Sequence, residues 1–339
     1  MNKQHPVKTI FPALTSMQTA IYLLILIALL SAVGTIIPQG EESRFYIQHY
    51  GQYPGTFITL LGLNHLYQVW WYQVLMGFLC LSLLLCSYQR LRRTCNLAST
   101  GSLILHLGMV VIIVGATWSL GYAKSVYLEI NEGEAAFLKD YGLKEGYLQV
   151  KKFKVDYYPD HSPRQYYAHL SLQDYKGGNY EENIAVNHPL EAAGLKIYQT
   201  SWSWSMQADV IQDENKQQLS LQNGIAVPLP DNSSLEIKAL FIPDYQEDGM
   251  GLQTKSPYPN NPRMLATLMK EGQIADMMVL APGESQNLGG YTIVFQGFAP
   301  YTGLTIKEDR GVNMVFTGFA LLSLGLLIRY RNLYRRKAA

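Results

Sequence analysis

Seven histidines are the side chains of this sequence best suited to bind a metal or to exchange a proton near neutral pH. One of them, His106, falls inside the apolar segment LILHLGMV (residues 103–110) and has no acidic neighbour in the sequence. An ionisable group in a membrane helix costs free energy unless it faces the bundle interior with a partner, so His106 is a candidate functional residue. A neutral imidazole there could donate a hydrogen bond to another helix, or it could be an axial ligand of haem iron.

The other candidate residues have simpler interpretations. Five other histidines lie outside the apolar runs and lack a metal-binding spacing such as His-x-x-x-His, so we expect surface or hydrogen-bonding roles for them. They are His49, His65, His161, His169 and His188. Cys80 and Cys86 are separated by about 9 Å along one predicted helix, which is too far for a disulfide. Trp202 and Trp204 point to one face of a strand, where packing is favoured over a flat platform for a porphyrin.

Composition and motifs exclude several classes of protein. Only 16% of the 339 residues are charged, and 27 Lys and Arg nearly balance 26 Asp and Glu, which gives no support to a nucleic-acid partner. All three cysteines lie in the first 95 residues, and neither Cys-x-x-Cys nor Cys-x-x-Cys-His occurs, which excludes a thioredoxin-like protein and a c-type cytochrome. Gly-rich phosphate loops, Gly-x-Ser-x-Gly and His-Glu-x-x-His are also missing from the sequence, so it holds no complete active site of its own.

Four apolar runs are long enough to cross a bilayer as helices at 1.5 Å per residue. We predict transmembrane helices at residues 17–37, 69–88, 102–120 and 312–328. The first run is longer than the apolar core of a signal peptide and lacks a small-residue cleavage site. The chain is therefore expected to be a multi-pass membrane protein in contact with membrane lipid.

Lys and Arg in the short flanks predict the orientation of the helices, because such residues resist translocation. Basic residues are concentrated in residues 1–16, in the 89–101 loop and in the 329–339 tail, whereas residues 38–68 contain a single arginine. Both termini and the 89–101 loop are therefore expected in the cytoplasm. The 38–68 loop and residues 121–311 are expected on the extracytoplasmic, periplasmic side of the inner (cytoplasmic) membrane.

Residues 121–311 have the pattern of an antiparallel β domain. Polar and apolar residues alternate in several short segments, such as 125–130, 147–150, 166–172 and 235–240, and Gly- and Asn-rich turns separate them. About 190 residues can bury a core, as two packed sheets or sub-domains. The expected fold is four transmembrane α-helices plus a large extracytoplasmic all-β domain, antiparallel and sandwich-like, inserted between helices three and four.

The predicted orientation puts His106 near the cytoplasmic surface. The third span begins near Ser102, so His106 lies about 6 Å into the membrane. Met109 is on the same helical face and cannot ligate the opposite side of a macrocycle, so a second ligand would come from another helix or another protein. Gly108 and Gly115 form a stripe that a helix or a flat ligand could approach, and helix packing is the simpler interpretation.

Three arginines in the 89–101 loop would lie near the same leaflet as His106. They are Arg90, Arg92 and Arg93. Guanidinium groups there could pair with carboxylates such as the propionates of haem, although their role in membrane topology is sufficient to explain them.

Several motifs in order make the sequence resemble the ResB family, also called CcsB, of system II cytochrome c biogenesis. The first span ends in VGTIIPQ (33–39), similar to the family's Gly-Thr-x-x-Pro-Gln. IAVNHPL (184–190) and GLKIYQ (194–199) are similar to its Val-Asn-x-Pro-Leu…Tyr-Gln signature, and Asn261-Pro262 to a later Asn-Pro. Arg310 departs from the family's usual Asp-Pro-Gly, although a turn into the last helix does not require the proline.

The resemblance implies a role in joining haem to apocytochrome c outside the membrane. His106 matches the family's transmembrane histidine, an axial ligand of the iron of haem b in transit from the cytoplasmic side. The opposing ligand and the tryptophan-rich haem-handling motif belong to a ResC/CcsA-type membrane partner, and Trp202 and Trp204 do not reproduce that motif. The chain would thus be a non-autonomous subunit of a cytochrome c synthase, or haem lyase, which depends indirectly on thiol-reducing proteins.

Two interpretations of this subunit remain open. In the first, His106 holds haem while the β domain organises the external site or receives apocytochrome c. In the second, the chain is a structural and docking subunit that does not ligate haem and binds apocytochrome or the partner through its β domain. No catalytic residue is predicted in either case.

Overall fold

The computed structural model describes residues 16–93, 96–212, 215–229, 232–248 and 251–337. Most of the predicted cytoplasmic N-terminus, Cys95 and the last two residues of the predicted basic tail lie outside these ranges. The chain divides into two compact units. One contains the chain up to Ala123 and from Asp309 onward and is helical, and the other, Lys124–Glu308, is built mainly of strands.

Six α-helices form the described part of the helical unit. They are α1 (Met17–Ile36), α2 (Ser43–Tyr50), α3 (Gln52–Leu60), α4 (Trp70–Arg93), α5 (Leu97–Tyr122) and α6 (Gly311–Lys337). Helices α1, α4, α5 and α6 are long and apolar enough to cross a membrane, which confirms the four predicted apolar helices. Two of them start at side-chain caps, because Ser16 accepts a hydrogen bond from the Gln18 amide and Asn96 from the Ser99 amide.

The connection between α1 and α4, which we expected to be a loop, contains α2, α3 and a short 3-10 turn. Its shape depends on Gln39, which follows Pro38 at the end of α1. The Gln39 side chain donates to the carbonyl of Leu63 at 2.9 Å and accepts from the amide of Leu66 at 3.1 Å. The hydroxyl of Tyr46, a fully buried side chain, donates to the carbonyl of Pro38 at 2.6 Å. The Pro-Gln pair of the first family motif therefore makes the hydrogen bonds that hold the two ends of this connection together.

Sixteen strands form the described part of the β unit. They are β1 (Lys124–Asn131), β2 (Ala135–Phe137), β3 (Tyr147–Tyr157), β4 (Pro163–Tyr175), β5 (Gly178–Ala185), β6 (Leu190–Ala192), β7 (Leu195–Gln212), β8 (Asn215–Gln222), β9 (Ala226–Leu229), β10 (Asn232–Ile242), β11 (Tyr245–Asp248), β12 (Gly251–Thr254), β13 (Arg263–Lys270), β14 (Gln273–Leu280), β15 (Ser285–Leu288) and β16 (Tyr291–Glu308). Each pairing between these strands is antiparallel, which confirms the large antiparallel sheet-rich domain. The sheet orders are β1-β16-β7-β6 with β15 and β8 at its side, β2-β3-β4-β5, β14-β13-β10-β9, and β11-β12.

Two long strands divide the β unit into two lobes. Strands β7 and β16 have 18 residues each and pair along nearly all of their length. Their halves nearer Leu195 and Glu308 share one hydrophobic core with β3 and β4, and the other halves share a second core with β10 and β13. The register shifts twice along this pair, at Phe295/Gly297, where β16 has the extra residue Gln296, and at Gly303/Leu304, where β7 has the extra residue Thr200. The two sub-domains that we considered from the sequence are thus lobes of one continuous strand pair.

The family motifs of the β unit build its turns and its interior. Asn187 has a φ of 66°, a conformation that asparagine tolerates better than most residues, in a tight turn. Gln199 is 6% exposed and accepts a hydrogen bond from the Thr302 hydroxyl at 2.6 Å. The Asn261 side-chain amide donates to the carbonyl of Tyr245 at 2.8 Å. These contacts give the motif residues structural roles.

The two tryptophans of the β unit, Trp204 buried and Trp202 half-buried, pack against other aromatic rings. Trp204 is 8% exposed, and its ring centroid lies 4.7 Å from that of Phe241 and 5.4 Å from that of Phe298. Trp202 packs against Tyr166, and its plane is inclined by 71° to that of Trp204. Rings at this angle do not form a flat platform for a porphyrin, which agrees with the packing interpretation.

Candidate functional site

His106 lies on α5 beside a serine of α4. Its ring nitrogen Nδ1 is 2.6 Å from the hydroxyl oxygen of Ser87, which is 4% exposed. The same hydroxyl is 2.8 Å from the carbonyl oxygen of Leu83, one turn earlier on α4. A chain of two hydrogen bonds therefore connects the backbone of α4 with the imidazole ring.

The two contacts of Ser87 assign the tautomer of His106. A serine hydroxyl has one hydrogen to donate, and the carbonyl of Leu83 can only accept. Ser87 therefore donates to Leu83, and Nδ1 of His106 carries a hydrogen and donates to Ser87. In the neutral ring the lone pair is then on Nε2. Metal-binding histidines have this arrangement, in which a hydrogen bond to one nitrogen orients the other toward the metal.

Glycines at seven-residue intervals pack α5 against α6. They are Gly101, Gly108 and Gly115 on α5 and Gly311, Gly318 and Gly325 on α6. A Cβ atom built on Gly108 would lie 2.6 Å from the Leu322 amide nitrogen, and one built on Gly318 would lie 2.8 Å from the Gly108 carbonyl oxygen. There is no room for a side chain at these distances, so the two backbones are in direct contact. Helix packing is thus the role of the glycine stripe that the sequence shows, and it fixes the helix that carries His106.

The opposite side of α5 packs against α1 and α4. Met109, Val110 and Ile113 contact a hydrophobic core there. Its buried members are Ile27, Leu66, Tyr72, Leu79 and Leu83. Met109 is therefore a packing residue, and the structure brings no second ligand from this chain to the His106 ring among the described residues.

Acidic residues are confined to one end of the helical unit. The three that it contains are Glu41, Glu42 and Asp309, which follow α1 or precede α6. Asp309 Oδ1 accepts hydrogen bonds from the Ser119 hydroxyl at 2.8 Å and from the Gly311 amide at 2.9 Å. This aspartate caps α6, so the turn into the last helix forms with Arg310 in place of the usual proline.

The other end of the helical unit is basic. Arg90 of α4 and Arg329 of α6 are cations whose charges act on the His106 ring. The guanidinium of Arg92 lies 5.3 Å from the ring centroid of Tyr88, and the Arg93 side chain lies outside the described part of the chain. Between Glu42 and Glu129 the sequence has no acidic residue that could neutralise these charges.

The histidines of the β unit differ from His106 in their bonding. In His169, Nδ1 lies 2.7 Å from Asn183 Oδ1 and Nε2 lies 2.7 Å from Glu181 Oε1, so both ring nitrogens have partners. The Lys151 ammonium, and then the His169 ring, lower the pKa of the Glu181 carboxyl below its usual value. The His161 ring stacks on Tyr258. No group of three or more His, Cys, Asp or Glu side chains able to hold a metal ion occurs in the described ranges.

Ser87 and Arg329 are the residues of this site that sequence reasoning missed. Ser87 is one of several serines in the apolar helices, and it is separated from His106 by 19 positions. Arg329 is the first residue of the basic tail, whose composition predicts only the orientation of the last helix. No sequence signal distinguishes either residue from its neighbours, because their importance depends on which helices pack together.

Comparison with known proteins gives a consistent result. The ResB-like family model matches residues 17–100 and 95–271. The cytochrome c biogenesis protein CcsB of Synechococcus sp. (strain JA-3-3Ab) is 27% identical over 95% of this chain and 82% of that protein. The CcsB protein of Nostoc sp. (strain PCC 7120) is also 27% identical, over 94% of this chain and 83% of that protein.

Among solved structures, the cytochrome c heme lyase CcmF aligns with 91% of this chain and 39% of that chain, at 11% identity and a TM-score of 0.33. That score is too low to relate the two folds. The family model, in contrast, covers most of the first three membrane-type helices and of the β unit. With its four membrane-type helices, this chain is a membrane protein that belongs to the ResB-like family.

Proposed function

We propose that this protein is a subunit of system II cytochrome c biogenesis that holds haem at His106 on its way across the membrane. The haem in transit would be haem b, and it would then be presented on the extracytoplasmic side for covalent attachment to apocytochrome c. Support comes from the ResB-like family and from relatives named cytochrome c biogenesis protein CcsB.

One observation carries the proposal: the Leu83–Ser87–His106 chain of hydrogen bonds, which leaves Nε2 with its lone pair. The chemistry of this donor suits haem iron, for which a neutral imidazole is a common axial ligand. Ser87 contributes orientation, since it holds the ring by Nδ1 and keeps the other nitrogen unprotonated. The chain's own work is to position this nitrogen near one surface of the membrane.

The proposed orientation places the basic end of the helical unit in the cytoplasm of the inner membrane. Lys and Arg in short flanks resist translocation, and the three acidic residues of the unit lie at the other end. The β unit, between the third and fourth membrane helices in chain order, would then be extracytoplasmic. Haem that enters from the cytoplasm would therefore reach His106 before it reaches the β unit.

The subunit is proposed to work with a second membrane protein of the ResC/CcsA type. One side of the iron would be ligated by His106, and among the described residues none is placed to ligate the other side. Thioether formation also needs reduced cysteines in apocytochrome c, and the β unit contains no cysteine. Thiol-reducing proteins would therefore supply the reductant indirectly.

The test is the visible absorption spectrum of the detergent-purified protein, co-expressed with its partner. We expect the Soret band of wild type to be lost in His106→Ala and restored when imidazole fills the vacated axial position. His169→Ala is the matched control, because it removes a histidine whose two nitrogens already have partners, and its spectrum should match wild type. An unchanged spectrum in His106→Ala would refute ligation and favour a structural or docking subunit acting through the β unit.

A further inference from the structure

Arg329 of α6 contains a buried donor that has no partner. Its Nη1 atom is shielded from solvent and makes no hydrogen bond within the described chain. The guanidinium lies 5.6 Å from the ring centroid of Tyr330, a contact that supplies no hydrogen-bond acceptor for Nη1. A buried guanidinium nitrogen without an acceptor is costly, so a group from outside the described residues would stabilise it.

The missing acceptor cannot be a carboxylate of the helical unit. Glu41, Glu42 and Asp309 are the acidic residues of that unit, and they lie at the ends of helices remote from Arg329. Asp309 is already bonded to Ser119 and to the α6 backbone. The sequence after Asp309 is free of acidic residues as well. An anionic group of a ligand or of a lipid would match the charge of the guanidinium as well as supply the acceptor.

Helix packing places Arg329 on the cytoplasmic side of His106 in the proposed orientation. The backbone of Leu322 contacts Gly108, two residues from His106, and the backbone of Arg329 contacts Gly101. Arg329 is thus about five residues, or roughly one and a half helical turns, from the level of His106. Since side chains lean toward the N-terminus of their own helix, the Arg329 side chain leans back toward that level. Its charge also acts on the His106 ring.

We propose that Arg329 binds a propionate carboxylate of the haem that His106 holds. This inference rests on the proposed function and adds a second anchor to the same site. A guanidinium and a carboxylate form short, charge-assisted hydrogen bonds with matching planar geometry. Two anchors of different chemistry, one for iron and one for a carboxylate, would fix both the position and the direction of the porphyrin.

The test compares the binding of haem b and of haem dimethyl ester, in which both carboxylates are blocked, to the detergent-purified protein. The wild type should bind haem b at least about tenfold more tightly than the ester, the effect of one hydrogen bond to a charged group. Arg329→Gln should lose this preference, and Arg329→Lys should recover part of it by its charge. Arg331→Gln, which removes an exposed arginine of the same helix, should keep the wild-type preference.

The outcomes separate this inference from the proposed function. If His106→Ala abolishes haem binding while Arg329→Gln keeps the preference for haem b, only the role of Arg329 is overturned. If Arg329→Gln keeps the preference but loses about one co-purifying lipid phosphate per chain, Arg329 binds a lipid headgroup and the inference is also overturned. If wild type and His106→Ala bind haem b equally, the proposed function itself fails. Elution volume on size-exclusion chromatography shows that each variant is folded.

Discussion

The Ser87→Ala substitution tests how the candidate site presents Nε2 of His106. It removes the hydroxyl that accepts from Nδ1 at 2.6 Å and leaves that N–H facing a methyl group. An unsatisfied buried donor costs about 1–3 kcal/mol. The His106 side chain is half-buried, so water can replace part of the lost bond, and the lower part of that range applies. About 1–2 kcal/mol corresponds to haem affinity that is weaker by roughly 5- to 30-fold.

The assay is the transfer of haem from the purified protein to excess apomyoglobin, followed by absorbance. We expect Ser87→Ala to lose haem faster than wild type by this factor, and Ser87→Thr to retain most of the affinity because it keeps the hydroxyl. Ser31 provides a matched control, since its hydroxyl bonds to the Ile27 carbonyl at 2.8 Å and to the Tyr72 hydroxyl at 2.9 Å in the same unit. Ser31→Ala should lower thermal stability without changing haem transfer.

One result would refute the reasoning. If His106→Ala abolishes haem binding but Ser87→Ala binds haem as tightly as wild type, the hydrogen bond from Nδ1 does not determine how the ring is presented. The tautomer that Ser87 favours would then not affect haem binding, although His106 would remain the ligand.

Two further predictions concern stability. Gly108→Ala should lower the melting temperature of the helical unit, because the new Cβ would lie 2.6 Å from a backbone nitrogen of α6. The control is Gly77→Ala on α4, where a Cβ would have nothing within 4 Å and the change should be neutral or stabilising. Equal melting temperatures for the two variants would contradict the backbone contact. Asp209 lies 2.9 Å from the Lys216 ammonium. The hydrogen bond from Lys216 is the largest cause that lowers the pKa of the Asp209 carboxyl, and the hydrogen bond from the Gln296 amide is a smaller one. Its contribution to stability is therefore present above the pKa of the unfolded chain and is lost as the pH falls through the lowered value. Asp209→Asn should melt at a lower temperature than wild type at pH 7, and this difference should shrink toward pH 3. The exposed Glu182→Gln should melt as wild type does. A lowering of the melting temperature by Asp209→Asn that does not depend on pH would refute the ion pair.

Much of the helical architecture could be predicted because a long uncharged run leaves few alternatives. Four such runs are helices, as expected. Helices α2 and α3 were missed because eight or nine residues of mixed polarity between Pro38 and Gln68 give no clear period, and a glutamine side chain and a buried tyrosine stabilise their arrangement. The Gln39 contact joins residues 24 positions apart in the sequence, and a local sequence pattern does not reveal such a pair.

The β unit and the site show the same limit. Alternation located β1, β3, β4 and β10, but it did not predict that β7 and β16 extend through two lobes. Bulges at Gln296 of β16 and Thr200 of β7 shift the register in mid-strand. His106 was recognisable as a rare ionisable residue in an apolar run. Its hydrogen-bond partner was not recognisable, because Ser87 becomes special only when α4 and α5 pack together.

The glycine contact between α5 and α6 has a consequence for synthesis of the protein. Gly115 and Gly311 meet in the folded chain, yet the whole β unit is translated between them. At about 5–20 residues per second, α5 emerges from the ribosome roughly 10–40 s before the helix that covers its glycine face. During that interval the glycine face of α5 lacks the helix that covers it in the folded chain. Assembly of the helix pair is therefore a late step, and a nascent chain that stalls within the β unit presents His106 on an incompletely packed helix.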